Sequence, residues 1–173
     1  LGANMSSRLF DELREKRGLA YSISSSTKSL RDTGIFLIRA GVDNRKIVEA
    51  VSAILEQLKI IRQKGTNKDE FHRAKDYFLG QFLLGLEDTL DHMLWIGEAT
   101  ITLKKAYTLP EIIREVNKVK MDDIERLADN LFKENRFHLS LIGPLKDNQE
   151  KEMNSLLGVG TKEFGIDKRP HIR

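Results

Sequence analysis

The 173-residue sequence contains no cysteine. Disulfides, zinc–thiolate sites, iron–sulfur clusters and a Cys nucleophile are therefore excluded. Charge of one sign is also scarce. The 29 basic and 26 acidic residues leave a net charge of only +3, and no concentrated basic stripe of the kind that binds nucleic acid is present. Long apolar runs are missing. The longest nearly apolar stretch, Phe82-Leu83-Leu84-Gly85-Leu86, is far short of the ~20 residues that cross a bilayer. No signal peptide is visible, and a cytoplasmic setting of bacterial type is the expectation. The chain opens on Leu1-Gly2 instead of Met, which reads as a helix end with its glycine stop. The expectation is a piece of a longer polypeptide, entered partway through a domain.

Enough is present to fold. Leu, Ile, Val and Phe together make up about 30% of the residues, well above the level at which charged chains stay disordered. Ser6 and Ser7 offer helix caps. After them Leu9, Phe10 and Leu13 mark an amphipathic helix over 8–17, closed by Gly18. The period then drops to two. Leu19, Tyr21 and Ile23 alternate with Ala20, Ser22 and Ser24, predicting a half-buried strand with those three on its apolar face. Ser25 to Ser29 reads as part of a long polar loop, and Ile35 to Val42 as a second strand antiparallel to the first.

From Asn44 a helix carries Ile47, Val51, Ile54, Leu55, Leu58 and Ile61 on one face and ends at Gly65. Asn67 with Glu70 forms a capping box for the next helix. Its Phe71, Phe78 and Phe82 read as core, together with Trp95 on the helix after it. Shorter helices start around Pro110 and around Met121-Asp122-Asp123. Phe137, Leu139 and Leu141 alternate with His138, Ser140 and Ile142, predicting a last strand that stops at Gly143-Pro144. Runs of strands and runs of helices indicate an α+β fold, with helices packed on an antiparallel sheet. Three strands make that sheet thin, so at least one more is expected upstream of Leu1. Residues 1–145 read as the domain. Residues 146–173 read as a weakly structured tail in which Leu156-Leu157 docks.

The usual catalytic constellations are absent. No two of the four histidines show the i, i+4 spacing of a helical zinc site, and neither H-E-x-x-H nor H-x-x-E-H occurs. The pairs Glu87/Asp88 and Asp122/Asp123 stand at helix starts, where negative charge meets the positive end of the dipole. One stretch is different: Ser6-Ser7-Arg8-Leu9-Phe10-Asp11-Glu12-Leu13-Arg14-Glu15-Lys16-Arg17-Gly18-Leu19-Ala20-Tyr21-Ser22. It resembles the pattern S-S-R-L-F-x-x-x-R-E-x-x-G-L-x-Y-S at the start of the C-terminal half of pitrilysin/insulinase-type inverzincin metallopeptidases. That family includes mitochondrial processing peptidase and its bacterial relatives. The resemblance extends through Asp32-Thr33-Gly34 and the paired long helices to Leu141-Ile142-Gly143-Pro144. Leu1-Gly2-Ala3-Asn4 departs mildly from the family's Gly-rich turn.

The resemblance implies a clamshell of two homologous halves closing on a peptide. The first half, or a zinc-bearing partner subunit, holds zinc and the general base. The second half binds no metal and contributes an Arg and a Tyr, which by motif match are Arg14 and Tyr21. The implied roles are oxyanion stabilisation for Tyr21 and a grip on a substrate backbone carbonyl for Arg14. The parent reaction would be zinc-dependent hydrolysis of peptide bonds in extended polypeptides, as in a processing protease. This chain alone would be inactive, with a homodimer as one possible assembly and with no nucleic-acid or membrane partner. The alternative is a scaffold or substrate-binding subunit of the same fold, pairing with a zinc-bearing chain. A scaffold has no need of both Arg14 and Tyr21.

Overall fold

The computed structural model describes residues 1–30 and 32–158. They form two compact bodies: one of residues 1–63 together with the chain from 128 onward, the other of residues 64–127. In the first body a helical turn α1 (Arg8–Phe10) widens into a π-helical stretch (Asp11–Lys16). Two antiparallel strands follow, β1 (Ala20–Ser29) and β2 (Gly34–Val42), and then the long helix α2 (Ile47–Lys64). The apolar periodicity of α1 does what it predicts. Leu9 and Leu13 are completely buried, against Leu19, Ala20, Ala50 and Ala53. The two alanines let α2 approach closely, because no longer side chain holds the backbones apart.

β1 continues through the serine-rich stretch that reads as a loop. Its ladder with β2 runs from Ala20↔Val42 to Ser29↔Gly34, and the turn closes with the Leu30 N–H donating to the Thr33 carbonyl at 2.8 Å. The ladder is made of backbone groups, so exposed serines do not interrupt it.

A second cluster joins Ile47 and Val51 of α2 to Met153. Leu139 and Leu141 pack against it, while His138, Ser140 and Ile142 face outward, so the alternation predicted for 137–142 is real. The predicted strand is not. Among the described residues β1 and β2 alone form a ladder, and 137–142 is extended without one. Its side chains found a surface to dock on, but alternation of side chains does not supply a neighbouring row of N–H and C=O groups. Within the stretch expected to be weakly structured, Asp147–Leu156 forms a helix, α7, numbered in chain order after the four described next. It buries Met153 and Gln149. Leu157 docks just beyond its end, whereas Leu156 is 40% exposed. The rest of that stretch, 159–173, lies outside the described residues.

The second body is built from α3 (Lys68–Gly85), α4 (Thr89–Leu103), α5 (Leu109–Lys118) and the start of α6 (Met121–Leu131). Local caps set the boundaries. Asn67 Oδ1 accepts from the Glu70 N–H at 2.8 Å, and Asp88 Oδ1 accepts from the Leu90 and Asp91 N–H groups. The Glu111 carboxylate receives both the N–H and the hydroxyl of Thr108. Lys75 donates to the carbonyls of Asn117 and Val119, securing α3 to the end of α5. Phe78, Phe82 and Trp95 do form one aromatic row, with Phe82 stacked on Phe78 and edge-on to Trp95. They are not core. No residue of α3 is buried, and Phe78 is 51% exposed. Helical spacing identifies which residues share a face but not whether another layer lies over it.

Candidate functional site

The site predicted from the sequence is a helix, its stop and the strand beyond. Ser7 occupies the cap position, yet its hydroxyl makes no cap bond and its buried Oγ has no hydrogen-bond partner. The free amides at this end are satisfied by backbone instead. The Leu9 N–H donates to the Leu1 carbonyl, and the first i→i−4 bond of the helix runs from the Asp11 N–H to the Ser7 carbonyl. Past Phe10 the winding loosens, and the Arg17 N–H reaches five residues back to the Glu12 carbonyl. A π segment of this kind commonly marks a functional position.

Arg14 lies inside it. Its side chain is 47% exposed, with the guanidinium 5.0 Å from the centre of the Phe10 ring and Nε 4.0 Å from the Glu15 carboxylate. A cation over an aromatic face keeps its hydrogen-bond donors available at the edge. The glutamate at 4.0 Å makes only a weak surface contact.

The helix stops as its glycine predicts. Gly18 adopts a left-handed conformation, with φ +56°, and the Leu19 N–H closes onto the Leu13 carbonyl at 2.7 Å. That bond reaches one residue further back than an α-helical stop would. Lys46 donates to the Gly18 carbonyl, and Arg17 bridges Glu12 and Glu56, so the turn is tied to the helix α2 beneath it. The Arg17 pKa is raised from its ordinary value, first by its hydrogen bond to Glu12 and then by that to Glu56.

Tyr21 departs from the sequence expectation in an informative way. Period two groups it with Leu19 and Ile23 on one face of a half-buried strand, whereas the motif has it reach substrate. In the structure Leu19 and Ala20 are both buried, Tyr21 and Ser22 are both exposed, and Ile23 turns back to the core. The cause is a β-bulge. Ala20 pairs with Val42 and Ser22 pairs with Gly41, so Tyr21 is the extra residue with no partner opposite. The bulge takes the phenol out of the core and leaves it 74% exposed, with its ring over Gly41. Sequence reasoning missed Gly41, although a glycine inside an apolar strand is the usual sign of a bulge or a close approach.

The other candidates for chemistry do not assemble. His72 lies edge-on to Phe71, and His92 lies beside Trp95. Among the described residues no three His, Asp or Glu gather where they could hold a metal ion. None of the described helices is long and apolar enough to cross a membrane.

Comparison with known proteins agrees with the motif. The family described as "Peptidase M16 inactive domain" matches residues 1–78, the segment that carries Arg14, Gly18, Tyr21 and Gly41. An uncharacterized zinc protease of Streptomyces coelicolor is 36% identical over 154 residues, covering 89% of this chain and 33% of that protein. One of Bacillus subtilis is 37% identical over 144 residues, covering 83% of this chain and 35% of its own length. The chain thus spans about a third of the curated relatives it matches. In fold it is similar to the peptidase M16 inactive domain from Pseudomonas fluorescens. The TM-score is 0.67 at 19% identity, over 75% of this chain and 31% of that one. With the motif, the relatives and the fold in agreement, residues 1–78 carry the inactive domain of the M16 peptidase family.

Proposed function

We propose that this chain is the substrate-binding, oxyanion-stabilising half of a zinc-dependent peptidase that cleaves extended polypeptides. The observation that carries the reading is the bulge. It turns Tyr21 outward on the strand that directly follows the helix bearing the exposed Arg14. A phenol in that position donates a hydrogen bond to the oxygen anion that forms when a scissile carbonyl is attacked. The forked donors of Arg14 hold a neighbouring backbone carbonyl of the substrate. Zinc and the general base would belong to another stretch of the same polypeptide or to a partner subunit, as the zinc-protease names of the relatives suggest.

The test is steady-state kinetics of the full-length protease on an unstructured polypeptide. Tyr21→Phe removes only the donor, and kcat is expected to fall about 10²-fold or more while KM changes little. Arg14→Ala is expected to raise KM. A Tyr21→Phe enzyme with unchanged kcat overturns the oxyanion role. Equilibrium dialysis of this chain alone against zinc should find no stoichiometric binding, and a tightly bound ion would refute the division of labour between halves.

A further inference from the structure

Gly41 lies on β2 opposite Ser22, at the point where the ladder skips Tyr21. A Cβ placed on Gly41 would collide with the hydroxyl end of the Tyr21 ring, against Cζ, 2.5 Å from Oη and 2.7 Å from Cε2. Real Cβ contacts do not come so close, so ring and methyl group cannot share the space. Conformation is not the reason for a glycine here. Gly18, Gly65, Gly143 and Gly158 have positive φ among the described glycines, and Gly41 does not. Any residue could adopt the Gly41 backbone. What a side chain there would displace is the phenol.

We infer that Gly41 is a positioning residue for Tyr21: its bare Cα forms the seat on which the ring lies, and thereby fixes where the hydroxyl points. The bulge and the glycine act as a pair. The bulge ejects Tyr21 from the core and increases the local twist of the strand there. The glycine gives the ejected ring a flat backbone surface, as aromatic side chains do over strand glycines elsewhere. A side chain 74% exposed would otherwise sample several rotamers. A donor that must meet a developing charge loses most of its effect when misplaced by an ångström. The inference rests on the catalytic reading of Tyr21 and assigns the residue that aims it.

Two cycles in the full-length protease test it. In the kinetic cycle, Gly41→Ala is expected to lower kcat by at least about tenfold with KM within about twofold of wild type. The Tyr21→Phe/Gly41→Ala double variant should be no slower than the worse single variant. If Tyr21→Phe loses kcat while Gly41→Ala keeps it, the positioning role is overturned and the oxyanion role stands. If Tyr21→Phe keeps kcat, the oxyanion role itself has failed. The thermal cycle reads the contact without activity. Gly41→Ala should raise Tm in a Tyr21→Ala background, where no ring opposes the methyl group and a strand alanine is favoured over glycine, and should raise it less, or lower it, when Tyr21 is present. Should Gly41→Ala fail to fold, the Tyr21→Ala/Gly41→Ala variant should fold again. If the double variant also fails, or if Tm changes equally in both backgrounds, the seat does not exist.

Discussion

The side-chain amide of Gln149 donates a 2.8 Å hydrogen bond to the backbone carbonyl of Asn44, 105 residues earlier in the chain. Gln149 is 8% exposed, and its Oε1 accepts from the Lys146 N–H at 3.1 Å. One side chain thus caps α7 and fastens it to the start of α2. Replacing it with Ala leaves a half-buried carbonyl without its donor, which costs about 1–3 kcal/mol. Urea denaturation should register that loss, and Gln149→Ala should make 147–157 more accessible to proteolysis than the wild type. Equal stability and equal cleavage would show that α7 docks through Met153 alone.

Leu13 is completely buried beneath the π segment. Leu13→Ala is expected to destabilise the protein by about 2–5 kcal/mol through lost transfer energy and a residual cavity. Leu127 is 52% exposed, and its truncation should stay within about 0.5 kcal/mol. Calorimetry of the two variants side by side measures the difference.

Glycines in this chain should respond to alanine with opposite signs. At Gly18 the positive φ makes a side chain strained, at a cost of about 1–2 kcal/mol. Gly80 is inside α3, and a Cβ there would meet nothing within 4 Å. Gly80→Ala should therefore stabilise by about 0.5–1 kcal/mol. Chemical denaturation of the two single variants gives both signs in one experiment.

Asp43 supplies a pH dependence. Its carboxylate is bonded to the Arg45 guanidinium, with Nη2 to Oδ2 at 2.6 Å, and also accepts the Arg45 N–H at 2.9 Å. These bonds, the side-chain ones foremost, lower its pKa from 3.8 to about 2. A depressed folded-state pKa adds stability that is complete above the unfolded value of 3.8. That stability is lost as pH falls from there through about 2. A carboxyl-carbon NMR titration should place the midpoint below that of Asp43 in an Arg45→Ala variant. Coincident midpoints would refute the coupling.

Features written in neighbouring residues were legible from the sequence. Gly18, Asn67 and the Thr108/Glu111 pair act within one turn of chain, so residue type and spacing suffice to place them. The same holds for Arg14, whose exposure follows from the buried Leu9 and Leu13 on the other side of its helix. Features that depend on a distant strand or layer were not legible. Period two grouped Tyr21 with Leu19 and Ile23 on one face of a half-buried strand, because the bulge exists only in the register between β1 and β2. The phenylalanines of α3 share a face as read, but whether that face is covered is decided elsewhere in space. Helix α7 was missed because it enters the core with few residues, one of them the polar Gln149, and leaves no clear apolar stripe in its sequence.

The loosened winding at Asp11–Lys16 has a consequence for engineering. A π turn accommodates one residue more than an α turn does. The stretch therefore contains a surplus residue that a tighter spiral could do without. Deleting Glu15 should let the stretch close to α winding between Leu9 and the Gly18 reversal, changing the direction in which Arg14 points. Such a deletion separates the presence of the guanidinium from its aim, a distinction that no point substitution at Arg14 can make.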